Sequence, residues 1–240
     1  MMVEFVLLIL LAYLIGSVPS AYLAGKWFRG VDIREHGSGN VGVSNLISAT
    51  SWQIGLPAII FDIVKGILPI WVAYQLQLGI PQQVTVGTAA IVGHNWPVLL
   101  RFNGGRGMLT TIAVVFALPV VNGYLPWELL AFFVCAVVCL FTIHNIPIGT
   151  AAGIGIAPVV SWLTGKPLAL TLGFIAIFLI LIIRRLTAPL TEESANVSMK
   201  QLIVNRLFLD RDIRDREAWI NRQSTKQISV EDMPKKLHPG

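Results

Sequence analysis

The sequence predicts an all-α membrane protein that crosses the bilayer about seven times, with its N-terminus outside and its C-terminus in the cytoplasm. The first observation is composition: 55% of the 240 residues are hydrophobic and 13% are charged, against roughly a quarter charged in soluble domains. The second is a series of apolar runs close to the roughly 20 residues that a helix needs to cross a bilayer. The third is the clustering of lysine and arginine at alternate ends of these runs, which indicates the orientation.

Seven segments are predicted as the spans. They cover residues 2–24, 53–76, 83–100, 107–122, 127–144, 147–163 and 167–184. Because the fourth and the sixth are short or interrupted by glycine and proline, a count of five or six full crossings is the alternative. The first segment has Glu4, not a basic stretch, ahead of its apolar run, so we expect a retained span and not a cleaved signal peptide.

The orientation follows from the loops between these spans. With an external N-terminus, the outer loops hold one basic residue, Lys166. The inner loops then hold Lys26, Arg29, Arg34, Arg101, Arg106, Arg184 and Arg185. Since the inner loops of membrane proteins are enriched in lysine and arginine, both polar glycine-rich loops and the C-terminal tail are predicted to face the cytoplasm.

The composition changes after Arg185, which divides the chain into a membrane domain, residues 1–185, and a charged tail, residues 186–240. The tail carries nine of the eighteen basic and eight of the thirteen acidic residues. Residues 197–223 show a broken helical pattern of apolar side chains, which predicts an amphipathic helix on the inner membrane surface or on the protein. The last residues, 235–240, are predicted to be disordered.

The first polar loop, KWFRGVDIREHGSGNVGVSN over residues 26–45, has the composition of an anion-binding site. Glycines let successive backbone N–H groups converge on one point, serine and asparagine side chains add donors, and basic residues attract an anion. The residues that we expect to contribute are Arg34, Gly37, Ser38, Gly39, Asn40, Gly42 and Asn45. A phosphate or a carboxylate is the expected guest, and a plain helix-capping turn is the alternative.

The second polar loop, RFNGGRGMLTT over residues 101–111, places Gly104, Gly105 and Gly107 around Arg106, directly before a predicted helix. A glycine-rich turn that feeds a helix N-terminus presents free N–H groups, and an arginine adds a bidentate contact to phosphate. The Gly-Lys-Ser/Thr ending of a Walker A loop is missing. A simple turn between two spans is the alternative, but two such loops on one membrane face indicate one or two phosphorylated substrates.

Ionisable residues also occur inside the predicted spans. Asp62 and Lys65 lie three positions apart on one helix face, and such groups in a membrane either form a structural pair or line a site. His94 is more typical of a hydrogen bond between helices than of a catalytic base. Neither a metal-ligand spacing nor a Ser-His-Asp arrangement is found in the sequence, so we expect no metal ion and no cofactor, and no nucleic-acid partner.

These loops, in this order, resemble the motif regions of the acyl-phosphate:glycerol-3-phosphate acyltransferase family, the PlsY family of bacterial membrane enzymes. IGSVPSAYLAGKWFRGVDIREHGSGNVGVSNL, residues 15–46, is similar to the first motif region and the span before it. DIVKG, residues 62–66, resembles the second span, and GHNWPVLLRFNGGRGM, residues 93–108, resembles the second motif region. The likeness covers about residues 10–185.

The resemblance implies a multi-pass enzyme of the bacterial inner membrane. It implies transfer of a fatty acyl group from acyl phosphate to the sn-1 hydroxyl of glycerol 3-phosphate, giving lysophosphatidic acid and phosphate for phospholipid synthesis. Acyl phosphate, glycerol 3-phosphate and membrane lipids are then the partners. By this resemblance Ser38, Asn40 and Arg106 are the expected catalytic residues. The other loop residues named above, together with Asn205, are expected to bind substrate phosphate.

Three positions depart from the family pattern. Arg106 stands where the second motif has lysine, Ser48 stands where the first motif has arginine, and the histidine of the third motif is missing, with Asn205-Arg206-Leu207 as a displaced counterpart. A diverged member is therefore expected. The alternative function is a non-catalytic protein that binds acyl phosphate or phospholipid and regulates lipid synthesis. A small-solute transporter is a weaker option, since no inverted repeat is visible. The oligomeric state does not follow from the sequence.

Overall fold

The computed structural model of the chain describes residues 2–191, 194 and 197–220. This part of the chain is all-helical, without a β-strand. Its helices are α1 (Met2–Gly16), α2 (Ser20–Arg29), α3 (Val43–Ala49), α4 (Trp52–Gln75), α5 (Ile80–Asn95), α6 (Met108–Val121), α7 (Trp127–Ile143), α8 (Ile146–Leu163), α9 (Leu168–Leu186), α10 (Met199–Leu209) and α11 (Arg216–Ile220). The predicted disorder of residues 235–240 falls outside the described residues.

Among the described residues, four helical stretches are long and apolar enough to cross a bilayer. They are Met2–Arg29, which contains α1 and α2, Trp52–Gln75, Ile146–Leu163 and Leu168–Leu186. The apolar helix α6 has 14 residues and is therefore about 21 Å long, short of a hydrocarbon core of about 30 Å. The all-α class with several apolar spans is confirmed, whereas the count of seven crossings and the orientation stay predictions.

The first predicted span, 2–24, is not one continuous helix, because the chain breaks between α1 and α2 at Pro19. Proline has no N–H and disrupts the preceding turn, which leaves backbone carbonyl groups without helical partners. The Lys65 ammonium donates to one of these, the carbonyl oxygen of Val18, at 3.3 Å. The Ser20 hydroxyl, just after the break, donates to Asp62 at 2.6 Å. The Asp62–Lys65 pair, 2.8 Å apart and almost fully buried, therefore stabilises a broken helix.

The main apolar core lies between α4, α5, α6, α8 and α9. It contains Ile70, Ile91, Val114, Leu118, Ile154, Phe174 and Ile177, each at most 2% exposed. Burial of such a side chain contributes about 1.5–3 kcal/mol, so this cluster holds the long helices in a fixed arrangement. The polar loops at one end of the bundle are thereby carried on a rigid frame.

Helix α7 forms a close hairpin with α8. A side chain at Gly149 or Gly153 would collide with α7, at Cys139 and Phe132 respectively. Small residues at this spacing let two helix backbones approach in a membrane, as the glycine-rich composition of residues 147–163 indicates. The two cysteines of α7 are free thiols.

A buried ion pair ties the hairpin to the start of α9 at the end opposite the polar loops. The Lys166 ammonium donates to both carboxylate oxygens of Glu128, at 2.6 and 2.8 Å, and to the carbonyl of Leu125 at 2.7 Å. Both side chains are at most 2% exposed. Because a buried charge is costly without its partner, each residue requires the other. From the sequence alone, Lys166 is only a basic residue of a loop, and its pairing with Glu128 is not evident.

The segment after α9 folds back onto the end of the bundle that carries the polar loops. Arg206, on α10, donates to the carbonyl oxygens of Leu186 and Ala188 at 2.7 and 2.8 Å. It also pairs with Asp212, with N–O distances of 2.7 and 3.0 Å in a buried site. In the other direction Arg185 donates to the carbonyl of Leu207 at 2.8 Å. Helix α10 thus lies on the protein through its polar face.

Candidate active site

The buried side chain of Asn45 holds the backbone of the first polar loop in place. Its amide nitrogen donates to the carbonyl oxygens of Ile33, His36 and Asn40 at 2.7, 3.0 and 3.1 Å. Its amide oxygen accepts from the backbone N–H of Ser38 at 3.1 Å. Side chains of asparagine often stabilise turns in this way. The Asn45 amide, which is expected from the sequence to bind substrate phosphate, therefore makes four contacts within the loop.

A charged pair forms the outer rim of the same loop. Arg34 donates to Asp32 through Nε and Nη2, at 2.9 and 2.6 Å, and lies 4.8 Å from the centre of the Tyr22 ring. The hydrogen bond from Arg34 lowers the pKa of Asp32 below its usual value, so this carboxylate stays ionised at neutral pH. The pair is half-exposed on the arginine side, which leaves Arg34 at the entrance of the loop.

Arg184, near the end of α9, holds the second loop. Its Nη2 donates to the carbonyl oxygen of Gly104 at 2.6 Å, and its Nε donates to that of Gly105 at 2.9 Å. The guanidinium is buried, lies 5.9 Å from the Trp96 ring centre, and pairs with no carboxylate of the described residues. Since hydrogen bonds from a charged donor are roughly twice as strong as neutral ones, this contact fixes the backbone of the glycine-rich turn. From the sequence alone, Arg184 indicates only the orientation of the chain in the membrane.

The glycines of the second loop fit tightly against the protein. A Cβ on Gly105 would collide with the His94 ring and with the carbonyl of Val41, so the two polar loops and α5 meet at this position. Gly107 has a φ of +69°, in the left-handed region that favours glycine, and α6 begins directly after it. These glycines are therefore required by packing, whatever the loop binds.

Arg106 lies between the two loops and the C-terminal segment. Its Nε lies 3.2 Å from the Asp210 carboxylate, and both its Nε and its Nη1 are buried without a hydrogen-bond partner among the residues described. Arg185 approaches the same carboxylate oxygen at 3.9 Å. A single carboxylate thus faces two arginines, which leaves this region net positive. Asp210 was not among the sequence candidates.

Two cavities meet at these residues. The first, of about 600 Å³, is cationic and lies between both polar loops and the C-terminal segment, with walls that include Arg34, Arg101, Gly104, Arg184 and Trp219. The second, of about 310 Å³, runs from the loops between α6, α8 and α9 to apolar side chains that include Ile154, Phe178 and Leu181. Both cavities are lined by Ser38, Asn40 and Arg106, the three residues expected to be catalytic.

The structure brings most of the predicted residues to these walls and leaves four elsewhere. The cationic cavity is also lined by Gly39, and the apolar-ended cavity by Gly42 and Gly107. Gly105 borders a small pocket beside His94. Gly37, Asn45 and Asn205 line none of them, and the Asn205 amide donates to the carbonyl of Asp212 at 2.9 Å.

Asp62, Lys65 and His94 form a buried polar cluster next to the same cavity. Asp62 and His94 both border the apolar-ended cavity, and the His94 Nδ1 lies 3.8 Å from an Asp62 oxygen. The backbone carbonyl of His94 accepts from the N–H of Gly105 at 3.2 Å. The backbone of His94, whose ring lies beside the Asp62 carboxylate, therefore supports the second loop.

Comparison with known proteins gives a family for this arrangement. The sequence model of the glycerol-3-phosphate acyltransferase family matches residues 6–189. A glycerol-3-phosphate acyltransferase of Dehalococcoides mccartyi is 43% identical over 226 residues, which cover 92% of this chain and 94% of the relative. The chain belongs to the glycerol-3-phosphate acyltransferase family. Both polar loops lie inside the matched region, so the resemblance inferred from their motifs is confirmed.

Two solved structures of the family share the fold. The crystal structure of PlsY in its lysophosphatidic acid form is 26% identical, with a TM-score of 0.68, and the match covers 91% of this chain and all of PlsY. The glycerol 3-phosphate form is 28% identical, with a TM-score of 0.67, and covers 76% and 88% of the two chains. PlsY is described as an integral membrane enzyme, which agrees with the apolar helices. The sequence model of the family ends at residue 189, before α10 and Asp210, whereas the matches to the Dehalococcoides relative and to PlsY in its lysophosphatidic acid form cover 92% and 91% of this chain and extend beyond that residue.

Proposed function

We propose that this glycerol-3-phosphate acyltransferase moves a fatty acyl group from acyl phosphate to the sn-1 hydroxyl of glycerol 3-phosphate. The products are lysophosphatidic acid, for phospholipid synthesis, and inorganic phosphate. The proposal is supported by the family relationship and by the names of the PlsY forms, which contain glycerol 3-phosphate and lysophosphatidic acid.

The observation that carries the proposal is the junction of a cationic cavity with an apolar-ended one at Ser38, Asn40 and Arg106. Acyl phosphate has an anionic head and an apolar tail, and its reactive carbonyl lies between them. A tail among Ile154, Phe178 and Leu181 places that carbonyl at the junction. Glycerol 3-phosphate then approaches from the cationic cavity, where arginine side chains attract its phosphate.

Catalysis at the junction requires mainly that the two reactants are positioned and that the developing negative charge is stabilised. The sn-1 hydroxyl oxygen attacks the acyl carbonyl carbon, the bond from that carbon to the phosphate oxygen breaks, and phosphate leaves with the electron pair. The hydroxyl proton passes to a phosphate oxygen, so a protein base is not required. Holding two reactants together can lower the barrier by about 7–11 kcal/mol. We assign the donors on the developing oxyanion and the departing phosphate to Ser38, Asn40 and Arg106.

We propose that this site lies on the cytoplasmic face of a bacterial inner membrane, in a chain with seven spans and an external N-terminus. The polar loops and the C-terminal segment lie at one end of the bundle together with Arg34, Arg101, Arg106 and Arg184, whereas Lys166 is neutralised by Glu128 at the other end. Such asymmetry is typical of an inner face. Membrane lipids supply the surroundings of the apolar helices and accept the product.

The test is an acyl-transfer assay on the purified full chain in detergent. Palmitoyl phosphate and glycerol 3-phosphate are the substrates, palmitoyl-CoA is the alternative donor, and both phosphate release and lysophosphatidic acid are measured. We expect turnover with palmitoyl phosphate that depends on Ser38, so Ser38→Ala should be impaired. Binding of either substrate without turnover by the wild type would instead favour the non-catalytic function.

A further inference from the structure

The C-terminal segment lines the cationic cavity through Thr191, Asp212 and Trp219, and its Asp210 reaches Arg106 itself. Asp210 borders the apolar-ended cavity and lies 3.2 Å from Arg106, measured from Oδ1 to Nε. Its backbone is left-handed, with a φ of +54°, a conformation that aspartate and asparagine adopt more readily than most residues. The position of this carboxylate is therefore set by a specific turn at the end of α10.

The turn that carries Asp210 is anchored on both sides. Before it, Arg206 of α10 donates to the carbonyl oxygens of Leu186, the last residue of α9, and of Ala188. After it, the Asp212 carboxylate accepts from Arg206 and from the Ser194 hydroxyl at 2.6 Å, and its backbone carbonyl accepts from Asn205. The side chains that make these contacts are buried, so hydrogen bonds and an ion pair hold the turn and keep the Asp210 carboxylate next to Arg106.

The geometry distinguishes arginine from lysine at position 106. A guanidinium has donors at Nε and at both terminal nitrogens, so it can face a carboxylate with one edge and a phosphate with another. In Arg106 the Nε lies 3.2 Å from the Asp210 Oδ1 as an ion pair, and neither Nε nor the buried Nη1 makes a hydrogen bond to the described residues, so both can donate to a bound anion. A lysine ammonium is a single point charge, and the fixed Asp210 carboxylate would draw it away from substrate. This position holds lysine in the family motif that the second loop resembles.

We propose that Asp210 is a positioning residue for the acyl transfer, that it orients Arg106 toward the substrate phosphate, and that it makes arginine obligatory at position 106. The proposal rests on the proposed function, because the phosphate is that of the acyltransferase substrates. It assigns part of the active site to the C-terminal segment.

The test is a double-mutant cycle with four full-length proteins: wild type, Asp210→Asn, Arg106→Lys, and Arg106→Lys with Asp210→Asn. Asparagine keeps the shape and the backbone preference of aspartate and removes only the charge. We expect kcat/KM to fall about tenfold for Asp210→Asn and about a hundredfold for Arg106→Lys, in line with the coupling energies of contacting charged residues. The double variant should recover about tenfold relative to Arg106→Lys alone, because its lysine no longer has a competing carboxylate.

A merely structural role of Asp210 predicts a different result. Its loss would then add to the damage of Arg106→Lys, and the double variant would be the least active of the four. That order, or a fully active Arg106→Lys single variant, would overturn the proposal. Glu217→Gln is the matched control, because it removes one negative charge from an exposed position of the same segment, and it should keep wild-type kinetics.

A second measurement separates this proposal from the proposed function. If the wild type does not turn over, the acyltransferase activity fails, and the same four proteins are titrated with glycerol 3-phosphate by calorimetry. The positioning role then predicts the same ranking in affinity, with recovery in the double variant. Equal affinities of the wild type and Arg106→Lys, or no recovery in the double variant, would refute it.

Discussion

The contact between Arg184 and the second glycine-rich loop gives a prediction whose size follows from the structure. Arg184→Met keeps much of the side-chain volume and removes two hydrogen bonds from a buried charged donor, to the carbonyl oxygens of Gly104 and Gly105. Hydrogen bonds to charged groups contribute about 1.5–3 kcal/mol each. Because both belong to one side chain and are not additive, we expect a loss of about 2–4 kcal/mol in transition-state binding. At 1.36 kcal/mol per factor of ten, kcat/KM should fall roughly 30- to 900-fold.

The assay varies glycerol 3-phosphate at saturating palmitoyl phosphate, and thermal unfolding of each protein is followed in the same detergent. Arg184→Lys keeps the charge but reaches one carbonyl at a time, so it should lose about half as much free energy as Arg184→Met. Arg29→Met, which removes an exposed arginine from the end of α2, is the control and should behave as the wild type. A folded Arg184→Met protein with the kcat/KM of the wild type would refute the reasoning.

Three further predictions follow from the described structure. In a background without the native cysteines, a membrane-impermeant reagent applied from outside should label a cysteine at Gln82 and spare one at Gly39; the reverse pattern would contradict the proposed orientation. Lys166→Met should lower stability by about 3–5 kcal/mol because it strands the buried Glu128 carboxylate, and adding Glu128→Leu should restore much of the unfolding temperature, whereas equal loss in both proteins would argue against the ion pair. Gly105→Ala should raise KM and lower the unfolding temperature together, because the added Cβ would collide with the His94 ring and with the carbonyl of Val41. A raised KM at unchanged stability would indicate contact with substrate alone.

The helices could be predicted from the sequence because apolar runs are a property of neighbouring residues. The predicted spans coincide with α1–α2 and with α4 to α9, but the break at Pro19 was missed. An apolar run that contains one proline still reads as one span, and the partners that stabilise the break, Asp62 and Lys65, lie more than forty positions away. Only the pairing of these two residues, and not their contacts, was indicated by their spacing.

The first polar loop shows the same limit, because its sequence does not tell which side chains bind a ligand and which hold the loop itself. Serine and asparagine side chains in a glycine-rich stretch predict hydrogen bonding, but they serve ligand and loop equally well. In the structure Ser38 and Asn40 line both cavities, whereas the amide of Asn45 binds the loop's own backbone. Which of three similar side chains faces the cavity depends on the turn they form, and composition does not contain that information.

Arg106, which stands where the resembled motif has lysine, shows that the role of a motif residue depends on segments outside its own loop. Taken alone, Arg106 departs from the family pattern and suggests a weakened site. In the structure its Nε faces Asp210, which follows the end of the family match, and the segment that carries Asp210 is anchored by Arg206 and Asp212. A lysine at this position would present a single ammonium group to both the Asp210 carboxylate and the substrate phosphate, whereas the guanidinium of arginine can contact each through different nitrogens. The arginine at position 106 and the carboxylate at position 210 then act as one unit, and replacing Arg106 by lysine alone should damage the enzyme.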